Sequence, residues 1–267
     1  MEIAGYIASV LIGISLGLVG SGGSILTIPV LVYLFSVEPV VATSYSLFVV
    51  GLSSAVGSFS YLKRKMLNAK VIAMFGFPSI ISVILTRHFV VPAIPANIVL
   101  AGSLAITKDV LLLLLFALLM IAAAYGMIRN RNTVSAASTV HTGSGLNIPL
   151  LIVHGFITGF ITGLIGAGGG FLIIPALVML LKIPIKDAVG NSLVIIAANS
   201  LIGFFNSHNH DDINWQLLFS IAVLAITGIF IGIRLSKNID GQKLKPAFGW
   251  FILSMGIYIL LKETVFK

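Results

Sequence analysis

Eight apolar runs narrow most sharply what this chain can fold into: residues 3–19, 41–62, 71–86, 110–128, 148–165, 188–205, 217–233 and 247–261 hold no Asp, Glu, Lys or Arg. Most approach the ~17–25 residues that carry a helix across a ~30 Å hydrocarbon core. Because they are continuous rather than alternating, they predict membrane helices and not a barrel. Only 9% of the residues are charged, whereas a soluble domain carries about 25%. The polar surface is too small to cover a globule in water, so lipid must be the solvent for much of the chain. The first run does not read as a signal peptide, since Glu2 is its only flanking charge and the following GSGG is no cleavage site. The absence of Cys excludes disulfides, thiolate metal sites and thiol catalysis. The net charge of +8 does not point to nucleic acid, because the basic residues fall in short loops between the runs, where they set orientation.

The chain also repeats itself. Residues 12–32 and 158–178 agree at eleven of twenty-one positions at an offset of 146, including Gly13/Gly159, Gly17/Gly163, Gly20/Gly166, Gly22/Gly168, Gly23/Gly169 and Pro29/Pro175. The same offset pairs Ala42/Ala188, Ser46/Ser192, Ser54/Ser200 and Gly57/Gly203. The halves are residues 1–130 and 149–267, joined by a polar linker, 131–148, that is rich in small residues.

Each half offers an apolar piece before a glycine cluster, a short one after it, and three longer ones. The short pieces, 25–35 and 171–181, have eleven residues each, or ~17 Å of helix at 1.5 Å per residue, about half a bilayer. They either fold back as a hairpin or complete an interrupted crossing. On the hairpin reading the sixteen Lys and Arg residues divide 12 to 4 between the two faces, and on the other reading 8 to 8. Membrane proteins carry a basic bias on the cytoplasmic side, so the hairpin is expected, with both termini outside and the linker cytoplasmic. Each half then makes an odd number of passes. The expected fold is an all-α polytopic membrane protein of two inverted-topology repeats, each a glycine-broken helical hairpin plus three transmembrane helices, the plan of secondary transporters.

The clusters GSGGS (Gly20–Ser24) and GAGGG (Gly166–Gly170) stand where one apolar helix stops and another begins. A helix broken inside a membrane leaves N–H groups without partners unless protein, water or ligand satisfies them. Helices beginning near Ser24 and Gly170 would aim such groups, and a positive dipole end, at an anion. The expected substrate contacts are therefore Ser21, Gly22, Gly23 and Ser24 in one half and Ala167, Gly168, Gly169 and Gly170 in the other. The pseudo-two-fold brings the two ends together as a cradle that needs no buried Lys or Arg. The spacing of Gly13/Gly17 and Gly159/Gly163 points instead to close helix packing. GAGGG is no nucleotide loop, lacking GK[ST] and a preceding soluble strand.

Polar stripes follow. Asn191, Asn199 and Asn206 share one helix face, and their counterparts Tyr45, Ser53 and Ser60 do the same in the first half. Polar side chains in lipid face inward, to bond a neighbouring helix or to line a pathway. Tyr45, Ser46, Asn191, Ser192 and Asn199 are the expected additional contacts, those nearest the helix starts foremost. His208, His210, Asp211 and Asp212 read as a solvated loop and His154 as a packed histidine. Arg87, His88 and Arg234 read as snorkelling helix ends, and HFVVPAIPAN after Arg87 as a proline-broken loop.

The motif G-x-x-G-x-G-G-[SG]-x-L-x-x-P-x-L at Gly17–Leu31 and Gly163–Leu177, followed by A-x-x-x-S-L at Ala42–Leu47 and Ala188–Leu193, resembles the TauE/SafE family of sulfite-exporter-type permeases over essentially the whole chain. The resemblance implies a transporter that moves a small sulfur-containing or organic anion, such as sulfite or a sulfonate, usually outward across a bacterial inner membrane. Ser24 and Tyr45 depart from the second copy, which has Gly170 and Asn191. An anion channel of the same architecture is the alternative. An enzyme is not expected, for there is no Cys, no HExxH, no G-x-S-x-G and no aspartate pair within the spans. Neither cofactor nor metal is expected, and a coupling proton or sodium ion and the oligomeric state stay open.

Overall fold

A computed structural model describes residues 2–20, 22–63, 67–95, 97–100, 104–129, 148–181, 183, 185–207, 213–236 and 241–265. The first half contains α1 (Glu2–Val19), α2 (Gly22–Tyr33), α3 (Pro39–Leu62) and α4 (Ala69–Leu85). A π-helical turn (Thr86–Val90) and the short α5 (Val91–Ala93) extend α4, a two-stranded hairpin of β1 (Asn97–Leu100) and β2 (Leu104–Thr107) follows, and α6 (Lys108–Arg129) closes the half. The second half contains α7 (Ile148–Ile165), α8 (Gly170–Leu181), α9 (Ile185–Phe205), α10 (Trp215–Leu235) and α11 (Gly241–Thr264). Six spans among the described residues are long and apolar enough to cross a membrane: Pro39–Leu62, Ala69–Ala93, Lys108–Gly126, Ile148–Ile165, Asp187–Phe205 and Trp215–Leu235. The fold is thus helical apart from the β hairpin, which pairs Asn97 with Thr107. That hairpin and the π turn stand where the sequence reads as a simple loop.

Glycine spacing decides which helices touch. On α1, a Cβ at Gly13 would strike the carbonyl oxygen of Ala225 and stand 2.9 Å from Gly228 Cα, and one at Gly17 would strike Ile229 O. Gly228 and Gly232 on α10 press back on Val10 O and Ile14 O. The two small-xxx-small faces interlock backbone to backbone, the close approach that drives association in lipid. Since Gly13 meets Ala225 and Gly17 meets Ile229, α1 and α10 run parallel. In the second half Gly155, Gly159 and Gly163 of α7 pack in the same way on Phe75, Ser79 and Val83–Thr86 of α4. Each half therefore lends its first helix to the fourth helix of the other.

Several of the remaining contacts follow the same exchange. α3 packs on α10 as α9 packs on α4, while the pairs α3·α9, α6·α11 and α2·α8 are each their own counterpart. Both glycine-broken segments are hairpins. Gly23 at the start of α2 lies against Ile12, Ser15 and Leu16 of α1, and Phe35 returns beside Gly5 and Tyr6, the rings 5.3 Å apart. Gly169 likewise lies against Thr158 and Thr162 of α7. The Tyr33 hydroxyl donates to Glu263 Oε1 at 3.3 Å, and Lys262 Nζ stands 4.0 Å from the Tyr33 ring centroid. The start of α1 and the end of α11 consequently lie at the same end of the molecule.

Candidate functional site

The centre of the fold is the antiparallel pair α3 and α9, both largely buried. Their register is read from glycines: Gly190 faces Tyr61, Gly51 faces Leu201 and Gly203 faces Leu47. Thr43, Ser46, Val50 and Ser54 lie on one face of α3, and Val189, Ser192, Ile196 and Ser200 form the corresponding face of α9. The second glycine turn runs along the first of these faces. Gly166 ends α7, its N–H donating to Thr162 O at 2.8 Å, and packs on Thr43. Two residues deeper, a Cβ at Gly168 would stand 2.7 Å from Val50 Cγ1, 3.0 Å from Ser200 Oγ and 3.4 Å from Ile196 Cγ2. Gly168 therefore sits between the two central helices.

The sequence folds this way because α7 must stop inside the protein. Gly166, Gly168 and Gly169 have φ of +77°, +67° and +68°, left-handed conformations that cost an L side chain about 1–2 kcal/mol. Only then can α8 restart at Gly170. Leu172 and Ile173 both donate their N–H to Gly169 O, at 3.0 and 3.1 Å. As at any α-helix N-terminus, the first N–H groups of α8 have no partner in the helix's own ladder. In the first turn Gly20 is the left-handed residue among those described, with φ of +73°, and α2 begins at Gly22, two residues before Ser24.

The turns do not meet side by side. Gly20 packs on Val189 and Ile174, and the α3–α9 register sets Val189 beside Tyr61. From Thr43, beside Gly166, to Tyr61 is eighteen residues, ~27 Å at 1.5 Å per residue. The helix-ending glycines thus sit toward opposite ends of the central pair, and Gly168 reaches its middle.

The other expected contacts divide into two groups. Ser46 Oγ and Asn199 Oδ1 are buried and accept or donate nothing within the described residues; Ser54 Oγ, Ser200 Oγ, Ser82 Oγ and Thr162 Oγ1 share this condition. Such a buried polar atom costs about 1–3 kcal/mol if nothing satisfies it. Asn199 does donate through Nδ2 to Ser79 Oγ at 2.7 Å, tying α9 to α4. The second group is engaged. Asn191 Oδ1 accepts from the Asn68 N–H at 2.7 Å, and Tyr45 Oη accepts from the Asn214 N–H at 2.6 Å. Asn68 and Asn214 are the N-caps of α4 and α10, and they too are related by the offset of 146. Tyr45 and Asn191 are therefore matched struts that hold the next helix by its cap. Ser192 Oγ donates to Val189 O in its own helix at 2.9 Å. Gly23 and Gly169 serve the hairpin contacts, Ala167 is buried in an apolar cluster with Phe116 and Phe171, and Ser24 is buried at the head of α2. Gly22 starts α2 and Gly170 starts α8; Ser21 and residues 208–212, with His208, His210, Asp211 and Asp212, lie outside the described residues.

Arg87 corrects the expectation of a snorkelling helix end. It is only 3% exposed, because the π turn rotates it back into the protein instead of outward. Its Nη1 donates to Thr43 Oγ1 at 3.1 Å and to Ser207 Oγ at 3.5 Å. Nη2 lies 2.7 Å from where a Cβ on Gly166 would be. The cradle without a buried cation does not describe this end of the molecule. The repeat held a signal for this: the offset of 146 sets Arg87 against Ile233, which is buried on the other side.

The profile of the family described as Sulfite exporter TauE/SafE matches residues 6–259. A probable membrane transporter protein of Xylella fastidiosa is 30% identical over 260 residues, covering 95% of this chain and 92% of the relative. The probable membrane transporter protein YunE of Bacillus subtilis is 27% identical over 252 residues, covering 88% of each chain. A third, MJ0441 of Methanocaldococcus jannaschii, is 36% identical over 128 residues, 46% of this chain and 48% of its own. No solved structure matches.

Proposed function

This chain belongs to the sulfite exporter TauE/SafE family and is a membrane transporter, and from that premise we propose that it is a secondary carrier exporting a small sulfur-containing or organic anion such as sulfite or a sulfonate. The observation that carries this reading is the head of α8. It is a helix N-terminus inside the protein, whose first N–H groups lie outside the helix's own ladder, and Gly168 just before it sits between α3 and α9 beside the orphaned hydroxyl of Ser200. Donors of this kind at a helix N-terminus suit an anion, and partly buried geometry makes their attraction worth up to ~2 kcal/mol. The head of α2, at Gly22 to Ser24, is the counterpart toward the other end of the central pair. The anion binds at the α8 turn and moves along the polar faces of α3 and α9.

The halves are inverted repeats in this reading. Support comes from the largest helix contacts, most of which recur when the halves are exchanged, and from hairpins entering from opposite ends. The basic bias of 12 to 4 sets both termini and Arg87 on the outer face of a bacterial inner membrane, with a proton or sodium ion as the coupling candidate. The test is counterflow of radiolabelled sulfite in proteoliposomes. A carrier gives saturable uptake that internal substrate accelerates. Uptake with neither property would replace the carrier by a channel, and no anion flux at all would end the anion reading.

A further inference from the structure

Among the described residues, Arg87 is a cation that the fold encloses without a counter-ion. No carboxylate pairs with it among the described residues, and Lys108 lies near enough for the two positive charges to repel. Enclosing an unpaired guanidinium is costly, and a chain keeps one where something else completes it. Its environment shows what is missing. Thr43 and Ser207 occupy Nη1, while Nε and Nη2 have no partner among the described residues and each is shut off from the surface. Those two atoms form one edge of the guanidinium, with their N–H bonds parallel, the edge that grips two oxygens on a single atom. Nη2 is also the nitrogen that lies against Gly166, so this edge borders the glycine turn. The side chain is carried on a π turn, a form of helix frequent at functional sites.

We propose that the Nε–Nη2 edge of Arg87, together with the turn at Gly166–Gly168, is a binding station for an oxyanion that presents two oxygens from one sulfur or carbon atom, such as sulfite, a sulfonate or a carboxylate, and that it discriminates against single-atom anions. It rests on the reading of this chain as an anion carrier and refines its substrate class. The station is one-sided. The equivalent position on the opposite side is Ile233, buried among apolar residues, so the anion meets a fixed positive charge at only one end of its path.

The test uses full-length protein in detergent and in proteoliposomes, with sulfite, methanesulfonate, acetate and chloride at matched ionic strength. Wild type is expected to be stabilised by the three oxyanions and not by chloride. Arg87→Met is expected to melt no lower than wild type without ligand, because it removes an uncompensated charge, and to lose at least tenfold in affinity for every oxyanion. Arg87→Lys, which keeps the charge but not the fork, is expected to bind sulfite and chloride within threefold of each other. Wild-type affinity in Arg87→Met, or retained oxyanion preference in Arg87→Lys, would overturn the station while sulfite counterflow by wild type leaves the carrier reading in place. A lowered ligand-free melting temperature in both variants, with unchanged sulfite affinity, would make Arg87 a packing residue and overturn it as well. Absence of any anion binding or flux in wild type would overturn both.

Discussion

Gly168→Ala and Gly20→Ala make a matched pair that separates a binding turn from a merely tight one. Both glycines are left-handed, with φ of +67° and +73°, and in both a new Cβ stands 2.6–2.7 Å from a valine Cγ1, that of Val50 or Val189. The backbone cost is about 1–2 kcal/mol in either case, and displacing the valine adds an overpacking cost of roughly 1–3 kcal/mol. The two variants should therefore lose similar stability. They differ in what else the methyl meets. At Gly20 its three nearest atoms belong to Val189 and Ile174, whereas at Gly168 it stands 3.0 Å from the orphaned Ser200 Oγ, where an anion would accept hydrogen bonds. Losing the ~2 kcal/mol available from a helix N-terminus corresponds to about thirtyfold in affinity, at 1.4 kcal/mol per factor of ten. The assay is initial sulfite flux in proteoliposomes, normalised to folded protein, with melting curves on the same preparations. Gly168→Ala should transport about thirtyfold less efficiently, and Gly20→Ala within twofold of wild type. Equal losses in the two, tracking their stability, would refute the reasoning.

Ser54→Ala and Ser200→Ala break no hydrogen bond within the described residues, so melting temperature should hold or rise while the KM for the anion increases several-fold. Tyr45→Phe removes the bond to the α10 cap and should cost about 1 kcal/mol of stability with KM within twofold; a large KM effect would return Tyr45 to the anion path. Gly13→Ala must push α1 off the backbone of α10 and should lower the melting temperature markedly, whereas Gly126→Ala, with nothing within 4 Å of its Cβ, should raise stability by about 0.5–1 kcal/mol. Equal effects would dismiss the glycine interface. The cysteine-free chain makes topology simple to read: Glu38→Cys and Val265→Cys should react with an impermeant maleimide on intact cells, and Ser236→Cys only after permeabilisation.

Much of this was legible from the residues. Charge-free runs marked the helices, and the eleven-residue pieces after each glycine cluster were too short to cross, which matches the hairpins returning Phe35 to Tyr6. The reading of Gly13/Gly17 and Gly159/Gly163 as packing surfaces also holds. Sequence periodicity could not say which helices these surfaces meet, since Gly13 and its partner Gly228 are 215 residues apart. Tyr45 and Asn191 showed that a polar stripe in lipid turns inward, but the caps they hold come from loops whose approach no local pattern encodes. Arg87 was obscured by its position at the end of an apolar run. Whether such a residue snorkels or folds inward depends on a five-residue π turn and on the cover supplied by Gly166, a contact across seventy-nine residues.

The interlocking of α1 with α10 and of α4 with α7 has a mechanical consequence. Because each half clasps the other through glycine-to-backbone contacts, the protein has no seam along which its first 130 residues could swing as a block against its last 119. Any rearrangement that opens one side and seals the other must use mixed bodies, each containing helices from both halves.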